Sequence, residues 1–69
     1  MVAADAVLTD WVQLVRAEYM EMPGLTLTCL QIQRMWGIDR DTCHEIVSTL
    51  TASGFLSRRP DGSYSRSRD

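Results

Sequence analysis

Apolar positions in this chain fall into three blocks with helical spacing, followed by a short alternating block. Leu8, Trp11, Val12, Val15, Tyr19 and Met22 recur at steps of three and four, which predicts an amphipathic helix over about 4–21. Val7 and Leu14 widen that stripe beyond what one core contact needs. Asp5 suits the start of this helix, and Pro23-Gly24 ends it, because Pro cannot continue a helix and Gly accepts a left-handed turn. Leu25-Thr26-Leu27 alternates and predicts a very short strand. Thr28 then caps a second helix over about 29–36, with Gln31 as capping-box partner and Leu30, Ile32 and Met35 facing inward under Trp36.

Gly37 marks a tight turn, Ile38 reads as an apolar plug, and Asp39 caps a third helix over about 40–53. Cys43, Ile46, Val47 and Leu50 form its buried face at i, i+3, i+4 and i+7. Gly54 closes it, and Phe55 folds back on its end. Residues 55–58 and 63–66 alternate around Arg59-Pro60-Asp61-Gly62, a run in which Pro, Asp and Gly each favour a turn, so a hairpin over about 55–66 is expected. Ser67-Arg68-Asp69 is expected to fray. The order helix, short strand, helix, turn, helix, hairpin is that of a three-helix winged helix-turn-helix: mainly α, with a small β-hairpin.

Size narrows the picture further. The 69 residues are read as one domain, with no room for a separate catalytic or sensing domain. A domain of this size buries only about 60% of the surface its unfolded chain exposes, so oligomerisation would help it. The 45% hydrophobic and 23% charged composition is that of a globular chain. Met1-Val2-Ala3-Ala4-Asp5 has no positive leader and no apolar run is long enough to span a membrane, so a cytoplasmic, membrane-free protein is expected.

Charge complicates the picture. The net charge is −2, but residues 1–54 carry seven acids against three arginines while residues 55–69 carry four arginines against two acids. Basic charge is thus concentrated at the hairpin end, and all seven basic residues are Arg.

From Leu27 to Tyr64 the chain resembles the winged helix-turn-helix of bacterial transcriptional regulators of the IclR and MarR types. The residues that carry the resemblance are Leu27-Thr28, the Trp36-Gly37-Ile38 turn, Thr42-Cys43-His44 with Ile46-Val47 and Leu50, then Gly54-Phe55-Leu56 and Asp61-Gly62-Ser63-Tyr64. The resemblance implies a sequence-specific duplex-DNA-binding module whose third helix enters the major groove. In that reading Arg40, Thr42, His44, Glu45, Ser48 and Thr49 face base edges or phosphates. Arg58, Arg59 and Arg66 follow the backbone or enter the minor groove. A symmetric dimer through Val7, Trp11, Leu14 and Val15 would read two half-sites. Asp41 and Glu45 depart from a basic recognition surface, and the same fold also serves as a protein-interaction module without DNA; that alternative stays open.

Enzyme chemistry finds no support. Cys43 and His44 are adjacent, so on a helix their side chains point about 100° apart and make no nucleophile–base pair. Cys29, Cys43 and His44 lack zinc spacing and a fourth ligand, so no metal or other cofactor is expected, and both cysteines read as buried thiols that stay reduced in the cytosol. Trp11, Tyr19 and Trp36 sit at helical spacing, which favours core over a base-stacking platform.

Overall fold

The computed structural model describes residues 2–67, with side chains from Leu8 to Ser67. Its elements run α1 (Val2–Glu21), β1 (Thr26–Thr28), α2 (Cys29–Trp36), α3 (Arg40–Ala52), β2 (Leu56–Arg58) and β3 (Ser63–Arg66). The first helix starts earlier than its apolar stripe suggests, so Asp5 lies inside it rather than at its cap. The strands form one antiparallel sheet of order β1-β3-β2. The result is three helices and a small three-stranded sheet; the sequence pattern had paired only the two hairpin strands.

The local chemistry explains most boundaries. The Thr28 hydroxyl accepts from the Gln31 N–H at 3.2 Å while Gln31 Oε1 accepts from the Thr28 N–H at 2.9 Å, a reciprocal capping box that starts α2. Both α2 and α3 then end the same way. The Ile38 N–H donates to Gln33 C=O at 3.1 Å and the Phe55 N–H to Leu50 C=O at 3.0 Å, each across a glycine at positive φ, +64° for Gly37 and +85° for Gly54. Each bond reaches back five residues, as in a Schellman closure, and throws an apolar side chain onto the core. In the hairpin, the Gly62 N–H donates to Arg59 C=O at 2.9 Å, and Asp61 Oδ1 accepts from both the N–H and the hydroxyl of Ser63. The Ser67 N–H donates to Phe55 C=O at 2.9 Å, so the ladder continues into the stretch expected to fray; Arg68 and Asp69 lie outside the described residues.

The core consists of Val15 and Tyr19 from α1, Leu27 from β1, Ile32 from α2, Cys43, Ile46, Val47 and Leu50 from α3, and Leu56 from β2. The α3 face is buried as its spacing predicts. The α2 face is not. Leu30 and Met35 are half exposed, and the inward residues are Cys29, Ile32 and Trp36. Positions 29, 32 and 36 follow the helical period, whereas 30, 32 and 35 do not, so geometry overrides the greater apolarity of Leu30 and Met35. Met22 is likewise exposed: α1 ends at Glu21, and Leu25 packs on the core instead.

One hydrogen bond joins the two ends of the fold. Tyr19 is wholly buried, and its hydroxyl donates to Tyr64 C=O at 2.8 Å across 45 residues of sequence. Its ring meets Phe55 edge-on, with centroids 6.5 Å apart.

Strand register divides the sheet into two faces. Leu27, Leu56, Arg58, Tyr64 and Arg66 share the face turned to the helices. Thr26, Ser65 and Ser57 form one cross-strand row of hydroxyls on the other.

Candidate nucleic-acid interface

The outward side of α3 is fixed by what its inward side buries. With Cys43, Ile46, Val47 and Leu50 in the core, Arg40, Asp41, His44, Glu45, Ser48, Thr49, Thr51 and Ala52 are left exposed. The helix is started by Asp39, whose carboxylate accepts from the Thr42 N–H at 3.1 Å. The Thr42 hydroxyl, together with that N–H, holds the Asp39 carboxyl below its ordinary pKa of 3.8. Thr42 is half-buried, and the Thr49 hydroxyl donates to Glu45 C=O at 2.8 Å.

Helical spacing sorts the exposed residues into strips. Arg40, His44 and Thr51 lie along one flank, beside the buried Val47. Asp41, Glu45, Ser48 and Ala52 form the apex, farthest from the core, and Thr42 and Thr49 lie on the opposite flank. The C-terminal half of the first flank meets the hairpin. Between them is an open concavity of about 320 Å³ lined by Val47, Ser48, Thr51, Ala52, Arg58 and Tyr64. Arg58 thus joins α3 because its register position opposite Tyr64 turns it to the helix side of the sheet.

The hairpin arginines do not act as one group. Arg59 lines a second, larger concavity of about 500 Å³ with Pro23, Gly24, Thr26, Ser65, Arg66 and Ser67, away from the α3 contact. The Arg66 guanidinium sits over the Phe55 ring, 5.3 Å from its centroid, and Arg16 occupies the same ring at 5.1 Å. Arg66 is therefore committed to packing beside α1 and does not join Arg58 on the α3 side. Of the nine residues expected to touch DNA, only Ser48 and Arg58 line the same concavity; Arg40 and His44 continue its flank toward the start of α3, Glu45 sits on the acidic apex, Thr42 and Thr49 lie on the far flank, and Arg59 and Arg66 lie elsewhere on the hairpin. Thr51 and Tyr64 belong to the concavity and are not among the residues the sequence points to as DNA contacts. The signal for Thr51 was present: it lies seven residues beyond His44, on the same strip.

The expected dimer surface needs correction. Val15 is fully buried in the core, so it is unavailable to a partner, and Trp11 is partly buried against that core. Leu14 is the member left open, at 53% exposure, while the side chain of Val7 lies outside the described residues. The stripe was wide because one side serves the core, and only its edge remains free. Among the described residues no helix is long and apolar enough to cross a membrane.

The two cysteines, expected to be buried thiols, meet at the α2–α3 junction, and Cys29 is only half-buried. Compared with known protein families, curated proteins and solved structures, the chain matches none.

Proposed function

We propose that the chain is a winged helix-turn-helix domain that binds duplex DNA, with α3 toward the major groove and Arg58 on the adjoining phosphates. The observation that carries this reading is the concavity between α3 and the hairpin. It sets the Arg58 guanidinium beside two hydroxyl-bearing helix positions, Ser48 and Thr51, on the flank that Arg40 and His44 extend by helical spacing toward the start of α3. Arg40 has the reach and fork geometry to engage guanine or a phosphate, His44 and Ser48 are short polar readers one turn apart, and Arg58 supplies backbone charge. The element order supports the reading: a helix closed by a glycine turn leads directly into the next helix, which is followed by a hairpin.

A second reading is favoured by one specific feature. The apex of α3 carries Asp41 and Glu45, which repel phosphate, and Leu14, Met20, Met22, Leu30 and Met35 are exposed. A protein-interaction module of the same fold would use such a surface. Titration of the isotopically labelled protein with mixed-sequence duplex, at low and then moderate salt, separates the two. DNA binding requires salt-sensitive shifts at Arg40, His44, Ser48 and Arg58, and their loss in Arg58→Glu. An unperturbed spectrum at low salt rejects DNA and leaves the protein-interaction reading.

A further inference from the structure

Cys29 is the first residue of α2, and Cys43 lies in the first turn of α3. Their Sγ atoms are 2.6 Å apart, closer than ordinary nonbonded sulfur contact but longer than the roughly 2.05 Å of a disulfide. Cys43 Sγ also lies 3.4 Å from Cys29 C=O, and Gln33 Nε2 lies 3.8 Å from Cys29 Sγ. The two thiols are unequal. Cys43 is fully buried, and burial together with its Cys29 contact pushes its pKa up to about 12. Cys29 is only half-buried, so a reagent in solvent meets it first.

We propose that Cys29 and Cys43 are a redox-active dithiol, closed by a low-molecular-weight disulfide such as oxidised glutathione into an intramolecular bond that ties the start of α2 to the first turn of α3. The exchange proceeds in two steps. The Cys29 thiolate attacks one sulfur of the small disulfide, whose S–S bond breaks and releases one small thiolate, leaving a mixed disulfide on Cys29. The Cys43 sulfur then attacks the Cys29 sulfur and expels the second small thiolate, and the protons lost by the two cysteines end on the two released small thiolates. Two protein thiols are oxidised and one small disulfide is reduced to two thiols. The inference is independent of DNA binding, because it rests on two side chains beneath the proposed DNA face.

The test uses the full chain equilibrated in mixtures of oxidised and reduced glutathione, quenched in acid, alkylated with a maleimide and weighed intact. Two species are expected: the doubly alkylated protein, and a monomer that has lost two hydrogens and takes up no maleimide. Folded protein should close at glutathione ratios at least about tenfold more reducing than the same chain in denaturant, because the fold holds the sulfurs together. In Cys43→Ala the reaction should stop at one glutathione on Cys29, and in folded Cys29→Ala no glutathione should be added. A persistent mixed disulfide in the wild type, disulfide-linked dimers, or closure no easier when folded than when denatured would each overturn the proposal. If Cys43→Ala fails to fold, the comparison of folded and denatured wild type still decides.

Discussion

Replacing Tyr19 with Phe removes one oxygen and little else. The ring keeps its place in the core and its edge-on contact with Phe55, while Tyr64 C=O loses the donor that reaches it from α1. A buried hydrogen bond of this kind contributes about 0.5–1.5 kcal/mol net. A loss of about 1 kcal/mol lowers the melting temperature of a domain this size by roughly 4–8 °C. Total stability for such a chain is only on the order of 3–10 kcal/mol, so the loss is readily measured. The pH dependence gives a second, sharper signature. Burial raises the Tyr19 hydroxyl from its ordinary 10.0 to about 12. Below pH 10 the stabilising contribution is fully present. As pH climbs from 10 toward 12 the unfolded tyrosine releases its proton while the folded one keeps it, so the contribution drains away. Tyr19→Phe has no such proton to lose. Thermal melts followed by circular dichroism from pH 7 to pH 11 should therefore show the wild type more stable at neutrality and the gap narrowing in alkali. Equal melting temperatures at pH 7, or a gap that stays constant to pH 11, would refute the assignment of Tyr19 as the α1–sheet tie.

Three further substitutions probe separate elements. Thr28→Ala dismantles the reciprocal cap of α2 and should cost about 1 kcal/mol by denaturant titration, whereas an unchanged midpoint would mean the box contributes nothing. Glu45→Arg replaces repulsion with attraction at the α3 apex, so affinity for mixed-sequence duplex should rise, with a steeper salt dependence; unchanged affinity would put this apex away from phosphate. Leu14→Glu places a charge on the exposed edge of α1, and any dimer seen by sedimentation at tens of micromolar should dissociate into monomers. A dimer that survives this change uses another face.

What could be read from the residues was whatever short-range chemistry decides. Thr28 with Gln31, Asp39 with Thr42, and Gly37 and Gly54 at positive φ each act within a turn, so three helices and the hairpin were legible from local pattern. The buried face of α3 was legible too, because four apolar residues match its period. The misjudgements concerned contacts made across the fold. Leu30 and Met35 are apolar enough to read as core, but their helical spacing turns them outward. Val15 reads as a partner contact by apolarity, but with Tyr19, one turn on, it continues the buried line of α1. The hairpin arginines were grouped by charge, yet register turns Arg58 toward α3, and stacking holds Arg66 on Phe55. No spacing rule announces that Cys29 and Cys43 meet, since their meeting depends on how α2 crosses α3.

The strand order carries a consequence for how the chain is made. β3, the last strand among the described residues, lies between β1 and β2 and pairs with both. A nascent chain that has left the ribosome only as far as Gly62 holds all three helices but has nothing to join its two strands. Tyr19 lacks its acceptor at that point as well, because Tyr64 has not yet been added. Helices can form and collapse during synthesis, but the sheet closes only when residues 63–66 emerge, so cooperative folding is delayed until translation has passed them. A chain cut short at Gly62 would lose four residues of strand and, with them, the pairing of the other two strands, a loss out of proportion to the length removed.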